Sequence, residues 1–200
     1  MTGQFILLGA NDASLPVAVH NQHVPLEKYK EYLRRIINHP NIAAHKPKMF
    51  VITPPPLDEI KLARIERAGG RNDPSRQAKI SASYSEAARQ VAAEHADVTL
   101  VDLWKALMDT AIEKTPGFDK SGPYLLGDPK SGTDGYLDRL LSDGLHMTSE
   151  AYRIFYSIVR PLVGSEWAGT PEEDRVGYVL PDWRDAPWLE DDADQNGQAS

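Results

Sequence analysis

Three short apolar runs, separated by helical patterns, constrain the fold of this 200-residue chain more than any other feature. The runs occupy residues 5–8, 49–53 and 98–101; glycine ends the first, and three consecutive prolines end the second. Continuous apolar runs of this length are typical of strands that are buried on both faces of a sheet. Because such strands alternate here with helices, the sequence predicts an α/β fold with a parallel sheet between layers of helices.

Helical periodicity predicts five helices around these strands. The first begins near Pro25, the next three cover residues 75–96, 103–112 and 136–141, and the fifth follows Thr148. The Thr148 hydroxyl can cap the last helix. We expect the buried face of that helix to contain Tyr152, Phe155, Val159 and Leu162. Residues 115–135 are rich in glycine and proline and predict a loop region.

Two polar motifs lie where a parallel sheet carries its ligand crevice, outside the carboxyl ends of the strands. Residues 9–12 (Gly-Ala-Asn-Asp) follow the first apolar run directly. Residues 143–146 (Asp-Gly-Leu-His) stand just before the last predicted helix. We therefore expect Asn11 and His146 to converge on one crevice.

The residue types in these motifs match the parts of a hydrolase site. Asp143 precedes His146 closely, so its carboxylate can orient the imidazole as a general base and stabilise its charged form. Asn11 can donate its side-chain amide to an oxyanion. Gly9 lets the backbone approach a substrate closely, and Asp12 can brace the turn through backbone N–H groups. His146, Asp143 and Asn11 are thus the candidate catalytic residues, and Gly9 and Asp12 the candidate substrate-binding residues.

Each motif alone also has a purely structural explanation. A Gly-x-Asn-Asp sequence is a good turn after a strand, and Asp-x-x-His often caps a helix beside a surface histidine. His20 and His23 suggest two metal ligands, yet no nearby carboxylate or third histidine accompanies them. We therefore interpret them as loop histidines, and we expect no metal and no cofactor.

With these motifs the chain resembles the SGNH (GDSL-type) hydrolases, and within them the isoamyl acetate-hydrolysing esterase branch. The resemblance rests on residues 7–13, 52–56, 142–147 and 181–185 and extends over residues 5–185. It implies a flavodoxin-like three-layer α/β/α sandwich with a parallel sheet, a small-molecule ester as substrate, and no cofactor. It also implies the roles of oxyanion donor for Asn11, base for His146 and acidic partner for Asp143.

The chain departs from this family in one respect. The family begins with a Gly-Asp-Ser block whose serine is the nucleophile, and that block would precede residue 5. We therefore interpret residues 1–189 as a partial hydrolase domain that lacks its first strands, and residues 190–200 as an acidic disordered tail. Ser14 and Ser142 lie beside the two motifs, but neither occupies a strand-to-helix turn.

Three hypotheses follow for the activity. In the first, which the sequence favours, the chain is the C-terminal part of a carboxylic-ester hydrolase. It is inactive alone because loss of a triad nucleophile lowers kcat by on the order of 10⁶. In the second, the chain is a catalytically dead binding module that retains the pocket for an ester or acyl ligand. In the third, an unorthodox nucleophile such as Ser14 replaces the missing serine.

Composition excludes several other classes of protein. The net charge is −7, the basic residues are spread out without interleaved aromatics, and we predict no nucleic-acid binding. No apolar run is long enough to span a membrane. The absence of cysteine and of a basic N-terminal region predicts a cytoplasmic protein. The sequence does not predict an oligomeric state.

Overall fold

The computed structural model describes residues 3–16, 22–71 and 73–163. The chain divides into two compact units, Met1–Pro161 and Leu162–Ser200. The predicted acidic tail, the motif at residues 181–185 and His20 lie outside the described residues. The predicted boundary at residue 189 therefore stays a prediction.

Strands and helices alternate along the described chain. In order they are β1 (Gly3–Leu7), α1 (Leu26–Ile37), α2 (Pro40–Ala43), β2 (Lys48–Ile52), α3 (Glu59–Ala68), α4 (Ala78–Ala93), β3 (Val98–Val101), α5 (Leu103–Glu113), α6 (Leu137–Leu140) and α7 (Ser149–Val159), followed by a 3-10 turn at Arg160–Leu162. All three predicted strands and all five predicted helices are present. Helices α2 and α3 were not predicted, and residues 115–135 form a loop region as expected.

The three strands form one parallel sheet in the order β1-β2-β3. In the register of the sheet, Val51 of β2 stands between Ile6 of β1 and Leu100 of β3. Every residue of β2 after Lys48 is buried. The predicted α/β class with a parallel sheet is therefore confirmed.

Helices α1 and α4 cover one face of the sheet. The core between them combines strand residues with residues of both helices: Ile6, Met49, Val51, Tyr29, Leu33, Ile37, Tyr84, Ala88 and Val91. The rings of Tyr29 and Tyr84 meet with their centroids 5.2 Å apart, which joins the two helices. Helices α5, α6 and α7 pack on one another as a second group. On the opposite face of the sheet Phe50, Ile52 and Val101 are also buried, so the central strand is covered on both sides.

Strand β1 lies at one edge of the described sheet and is partly exposed. Phe5 and Leu7 are each 37% exposed, whereas the neighbouring Phe50, whose ring stacks on Phe5, is fully buried. Among the described strands, only β2 pairs with β1. The apolar side chains of β1 are thus less well covered than those of the central strand.

The buried face of α7 differs from the prediction. Tyr152 is 55% exposed and Ala151 is the fully buried residue of the helix. The less exposed positions of α7 are Ala151, Ile154, Phe155, Ile158 and Val159, which recur at helical spacing. Tyr152 lies outside this stripe, so the prediction for Phe155 and Val159 was close, and that for Tyr152 was wrong.

We expect the substitution Leu33→Ala to lower the free energy of unfolding by about 2–5 kcal/mol. Leu33 is 1% exposed at the centre of the α1–α4 core, so its removal leaves a cavity. Urea unfolding measures the loss. Arg35→Ala, on the exposed side of the same helix, is the control and should change stability by less than ~0.5 kcal/mol. Equal losses in the two variants would contradict this description of the core.

Candidate active site

The turn after β1 is held by Asp12. The Gly9 N–H donates to the Asp12 carboxylate at 3.0 Å, and the Ala13 N–H donates to the Gly9 carbonyl at 3.0 Å. Gly9 has a φ of +111°, and a Cβ there would lie 3.0 Å from both Pro54 Cγ and Tyr29 Oη. Only glycine fits this position without strain. The Gly9 N–H is already bonded to Asp12, so it is not available to a substrate. What Gly9 contributes is space, because a substrate can approach its backbone closely.

Asn11 is exposed at this turn, and Arg76 orients its side chain. Arg76 Nη2 donates to Asn11 Oδ1 at 3.2 Å, and Arg76 Nε donates to the Ala10 carbonyl at 3.2 Å. Since the amide oxygen accepts from Arg76, the NH₂ group is the part of the Asn11 side chain that can donate to a ligand. That is the orientation in which an asparagine can stabilise an oxyanion.

Arg76 is a site residue that the sequence did not reveal. The periodicity placed residues 75–96 in a helix, but α4 begins at Ala78, and Arg76 lies in the preceding loop, 8% exposed. Burial lowers the pKa of Arg76, whereas the carboxylates of Glu66 and Asp143 raise it. The negative charge of Asp143 thus interacts favourably with the Arg76 guanidinium, which holds Asn11.

The Asp143–His146 pair forms within a single turn. Asp143 Oδ1 accepts hydrogen bonds from the Leu145 N–H at 2.9 Å and the His146 N–H at 2.8 Å. Asp143 Oδ2 lies 2.6 Å from His146 Nδ1. This pairing favours the tautomer with a proton on Nδ1 and leaves Nε2 as the proton acceptor. The His146 side chain is 74% exposed, so Nε2 is accessible.

Asp143 is a strong acid in this environment. Partial burial by itself raises the pKa of Asp143, but the hydrogen bonds from the His146 backbone, the His146 ring and the Leu145 backbone outweigh it and lower the pKa to about 2. The carboxylate therefore stays charged opposite the imidazole at neutral pH.

Gly144 docks this loop on the segment that follows β2. The Asp58 N–H donates to the Gly144 carbonyl at 2.9 Å. Gly144 has a φ of +91°, and a Cβ there would lie 2.5 Å from the Asp58 carbonyl and 2.7 Å from the Leu62 nitrogen. The backbone of the loop thus lies directly against the start of α3. Leu141 and Met147 close the loop at its base through a β-bridge.

Both motifs therefore contact the same short segment. Gly9 packs against Pro54, and Gly144 packs against Asp58. Because this segment leaves the carboxyl end of β2, the structure brings residues 9–12 and 143–146 to the same end of the sheet. The catalytic roles of Asn11, Asp143 and His146 and the substrate-binding roles of Gly9 and Asp12 remain proposals.

A nucleophile is the part that the described residues lack. The Ser14 hydroxyl is buried and, within the described part of the chain, has no hydrogen-bond partner. The Ser142 hydroxyl donates to the His146 carbonyl at 3.1 Å rather than to its ring. Across residues 3–16, 22–71 and 73–163, no serine hydroxyl is bonded to the His146 imidazole. His23, one of the two loop histidines, holds the Ser14 carbonyl through Nδ1 at 2.7 Å.

Comparison with known proteins identifies the family. Residues 5–159 match the family model of the GDSL-like lipase/acylhydrolases. The chain belongs to this family. The resemblance inferred from the sequence motifs is thereby confirmed, and the curated relatives include proteins of the isoamyl acetate-hydrolysing branch.

Two relatives and one solved structure illustrate the match. A GDSL esterase/lipase of Arabidopsis thaliana is 27% identical over 173 residues, which cover 84% of this chain and 61% of that protein. An isoamyl acetate-hydrolyzing esterase 1 homolog of Bos taurus is 27% identical over 183 residues, which cover 90% of this chain and 60% of that protein. The structure of a putative platelet activating factor from Streptococcus pneumonia shares the fold, with a TM-score of 0.52 and 18% sequence identity. The match covers 82% of this chain and 60% of that chain. The chain thus spans about 60% of the length of these proteins.

We expect Gly144→Ala to destabilise the protein by about 1–3 kcal/mol more than Gly132→Ala, because the added methyl group must displace backbone atoms. Gly132 is a matched control: its φ of +72° imposes a similar backbone strain, but nothing lies within 4 Å of an added Cβ. Chemical unfolding of both variants measures the difference. Equal stabilities would show that the loop is not docked as described.

The low pKa of Asp143 makes stability depend on pH. The pKa is depressed from 3.8 to about 2 in the folded chain, so its contribution is present above pH 4 and is lost as the pH falls toward 2. We expect roughly 1 kcal/mol, allowing for the solvent screening of a carboxylate with 35% of its side chain exposed. Asp143→Asn should abolish this component in urea unfolding measured from pH 5 to pH 2, whereas the exposed Asp97→Asn should preserve it.

Proposed function

We propose that this chain is part of a carboxylic-ester hydrolase that acts on small esters through an acyl-enzyme intermediate. The observation that carries the proposal is the Asp143–His146 pair, joined at 2.6 Å with an exposed Nε2, at the sheet end that also carries Asn11. Membership of the GDSL-like lipase/acylhydrolase family supports the same chemistry. The names of the isoamyl acetate-hydrolyzing relatives favour a short-chain ester as the substrate.

Each residue has a defined step in this mechanism. As a serine oxygen bonds to the ester carbonyl carbon, His146 Nε2 takes the serine proton and Asp143 stabilises the resulting imidazolium. Asn11 donates its NH₂ group to the carbonyl oxygen as that oxygen becomes negative. The bond to the alcohol then breaks, and His146 returns the proton to the leaving oxygen. Water completes the cycle by the same route and releases the acid.

Arg76 and the Asp143 turn supply positioning in this proposal. Arg76 keeps the Asn11 oxygen turned away from the reacting carbonyl, so the amide donor needs no reorientation during the reaction. Two backbone N–H groups hold Asp143 independently of the imidazole. The His146 ring therefore meets a carboxylate that is already fixed in place, which favours a single productive orientation of the imidazole.

We further propose that the nucleophilic serine lies on a segment that packs beside β1, the edge strand of the described sheet. The apolar exposure of Phe5 and Leu7 at that edge, and the greater length of the relatives, support this arrangement. Without such a segment we expect negligible hydrolysis, because loss of the nucleophile lowers kcat by on the order of 10⁶. The alternative is a catalytically inactive module that binds an ester or acyl ligand, which the intact Arg76–Asn11 contact would also serve.

The coding DNA upstream of codon 1 provides a first test. We expect an in-frame segment that encodes a strand followed by Gly-Asp-Ser. The longer polypeptide should hydrolyse p-nitrophenyl acetate, whereas the 200-residue chain should not. Absence of any such segment, together with a soluble chain that folds cooperatively and binds a short-chain ester without turnover, would favour the binding module. Turnover by the chain alone that Ser14→Ala abolishes would instead establish the unorthodox nucleophile.

In the longer polypeptide, His146→Ala should abolish hydrolysis, because the imidazole is the base that this mechanism requires. Asn11→Ala should lower kcat by ~10²–10³, the usual cost of an oxyanion donor. His45→Ala and Asn41→Ala, both exposed and remote from the site, are matched controls and should retain full activity. Steady-state kinetics separate the effects on kcat and KM. Unchanged turnover in either site variant would refute the role assigned to that residue.

A further inference from the structure

Three acidic side chains from distant parts of the sequence meet behind the Asp143–His146 loop. One carboxylate oxygen each from Asp58, Asp134 and Asp138 lies within 4.8 Å of the others. We propose that this cluster is a divalent cation site of the calcium type, built only from oxygen ligands. The sequence predicted no metal site, because these three acids form no recognisable spacing.

The buried carboxylate of Asp58 is the independent sign of a ligand. Asp58 is 0% exposed, and its Oδ1 accepts the Lys61 N–H at 2.9 Å as the cap of α3. Its Oδ2 is buried and, within the described residues, has no hydrogen-bond partner. A buried carboxylate oxygen without a partner is costly, so an unpaired one in a cluster of acids indicates a missing positive charge.

The spacing of the oxygens suits a cation. Ca²⁺ binds carboxylate oxygens at about 2.3–2.6 Å, so a single ion can touch oxygens that lie up to ~5 Å apart. The three clustered oxygens, one from each carboxylate, fall within this limit. Ca²⁺ also accepts irregular coordination, with water completing the shell, more readily than Mg²⁺ does.

The charges around the cluster leave room for one more cation. Asp138 Oδ1 lies 3.1 Å from Lys61 Nζ and 3.7 Å from Arg64 Nη2, so its second oxygen remains available. In the described part of the chain, no hydrogen bond or ion pair engages the Asp134 carboxylate. Both cationic side chains thus pair with Asp138, and among the described residues no ion pair compensates the carboxylates of Asp58 and Asp134.

A bound ion would join three segments that support the His146 loop. Asp58 begins α3 and donates its N–H to Gly144, Asp134 lies in the 115–135 loop, and Asp138 belongs to α6. Lys61 Nζ also donates to the Leu141 carbonyl at 2.9 Å, at the base of the same loop. Cation binding should therefore stabilise the fold around the loop, whatever reaction the loop serves.

Calorimetric titration of the chelator-treated full chain with CaCl₂ tests the site. We expect one Ca²⁺ per chain, a rise in Tm with added Ca²⁺, and binding at least ~10-fold weaker in Asp134→Asn. Asp58→Asn should weaken binding in the same way and still fold, because asparagine also caps helices well. Asp97→Asn, at an exposed acid directly before β3 and outside the cluster, is the control and should bind as the wild type does.

Two results would overturn the proposal. One is the absence of binding heat and of any Tm shift up to about 10 mM Ca²⁺, well above the weakest affinities of protein calcium sites. The other is binding that Asp58→Asn and Asp134→Asn leave unchanged.

A shared proton is the competing occupant of the cluster. Burial, together with the charges of Asp134 and Asp138, raises the pKa of Asp58 to about 6, although the hydrogen bond from the Lys61 backbone lowers it. That alternative predicts no binding and a higher Tm for Asp134→Asn without added ions.

Discussion

The buried segment that follows β2, residues 53–58, is the element on which the whole candidate site depends. All of it is buried except Pro55, and its three prolines restrict the backbone. Gly9 packs against Pro54 near the start of this segment, and Gly144 packs against Asp58 at its end. Two motifs far apart in the chain thus take their positions from one stiff support. The Gly144 contact joins backbone to backbone, and the Gly9 contact is with the rigid ring of Pro54, so neither depends on a long flexible side chain.

Asp143 and His146 differ in how firmly the surrounding protein holds them in place. Asp143 is held by three hydrogen bonds, whereas the imidazole of His146 is 74% exposed. Acyl transfer benefits from a site that excludes water. An exposed base therefore fits the proposal that a further segment completes the site. The same segment would cover the exposed apolar side chains of Phe5 and Leu7.

Much of the fold was predictable because its signals are local. A buried strand is a run of adjacent apolar residues, and an amphipathic helix repeats within a few turns, so β1, β2, β3, α1 and α4 all follow from short windows of sequence. Helix α3 was missed because Leu62 is its single buried residue, and its apolar positions form no continuous stripe. Tyr152 was misplaced for a related reason: an aromatic residue next to the buried stripe of α7 resembles a member of it.

The sequence was sufficient for the Asp143–His146 pair, since both partners lie in one turn and their contact needs no other part of the chain. It also indicated that Asn11 stands at the end of a strand. Only folding decides that Arg76, 65 residues away, holds the Asn11 oxygen, or that Asp58 meets Asp134 and Asp138. Such contacts depend on how helices pack on the sheet, and no short window of sequence carries that information. The physical reason is that charge and hydrogen bonding act over a few ångströms in space, whatever the separation along the chain.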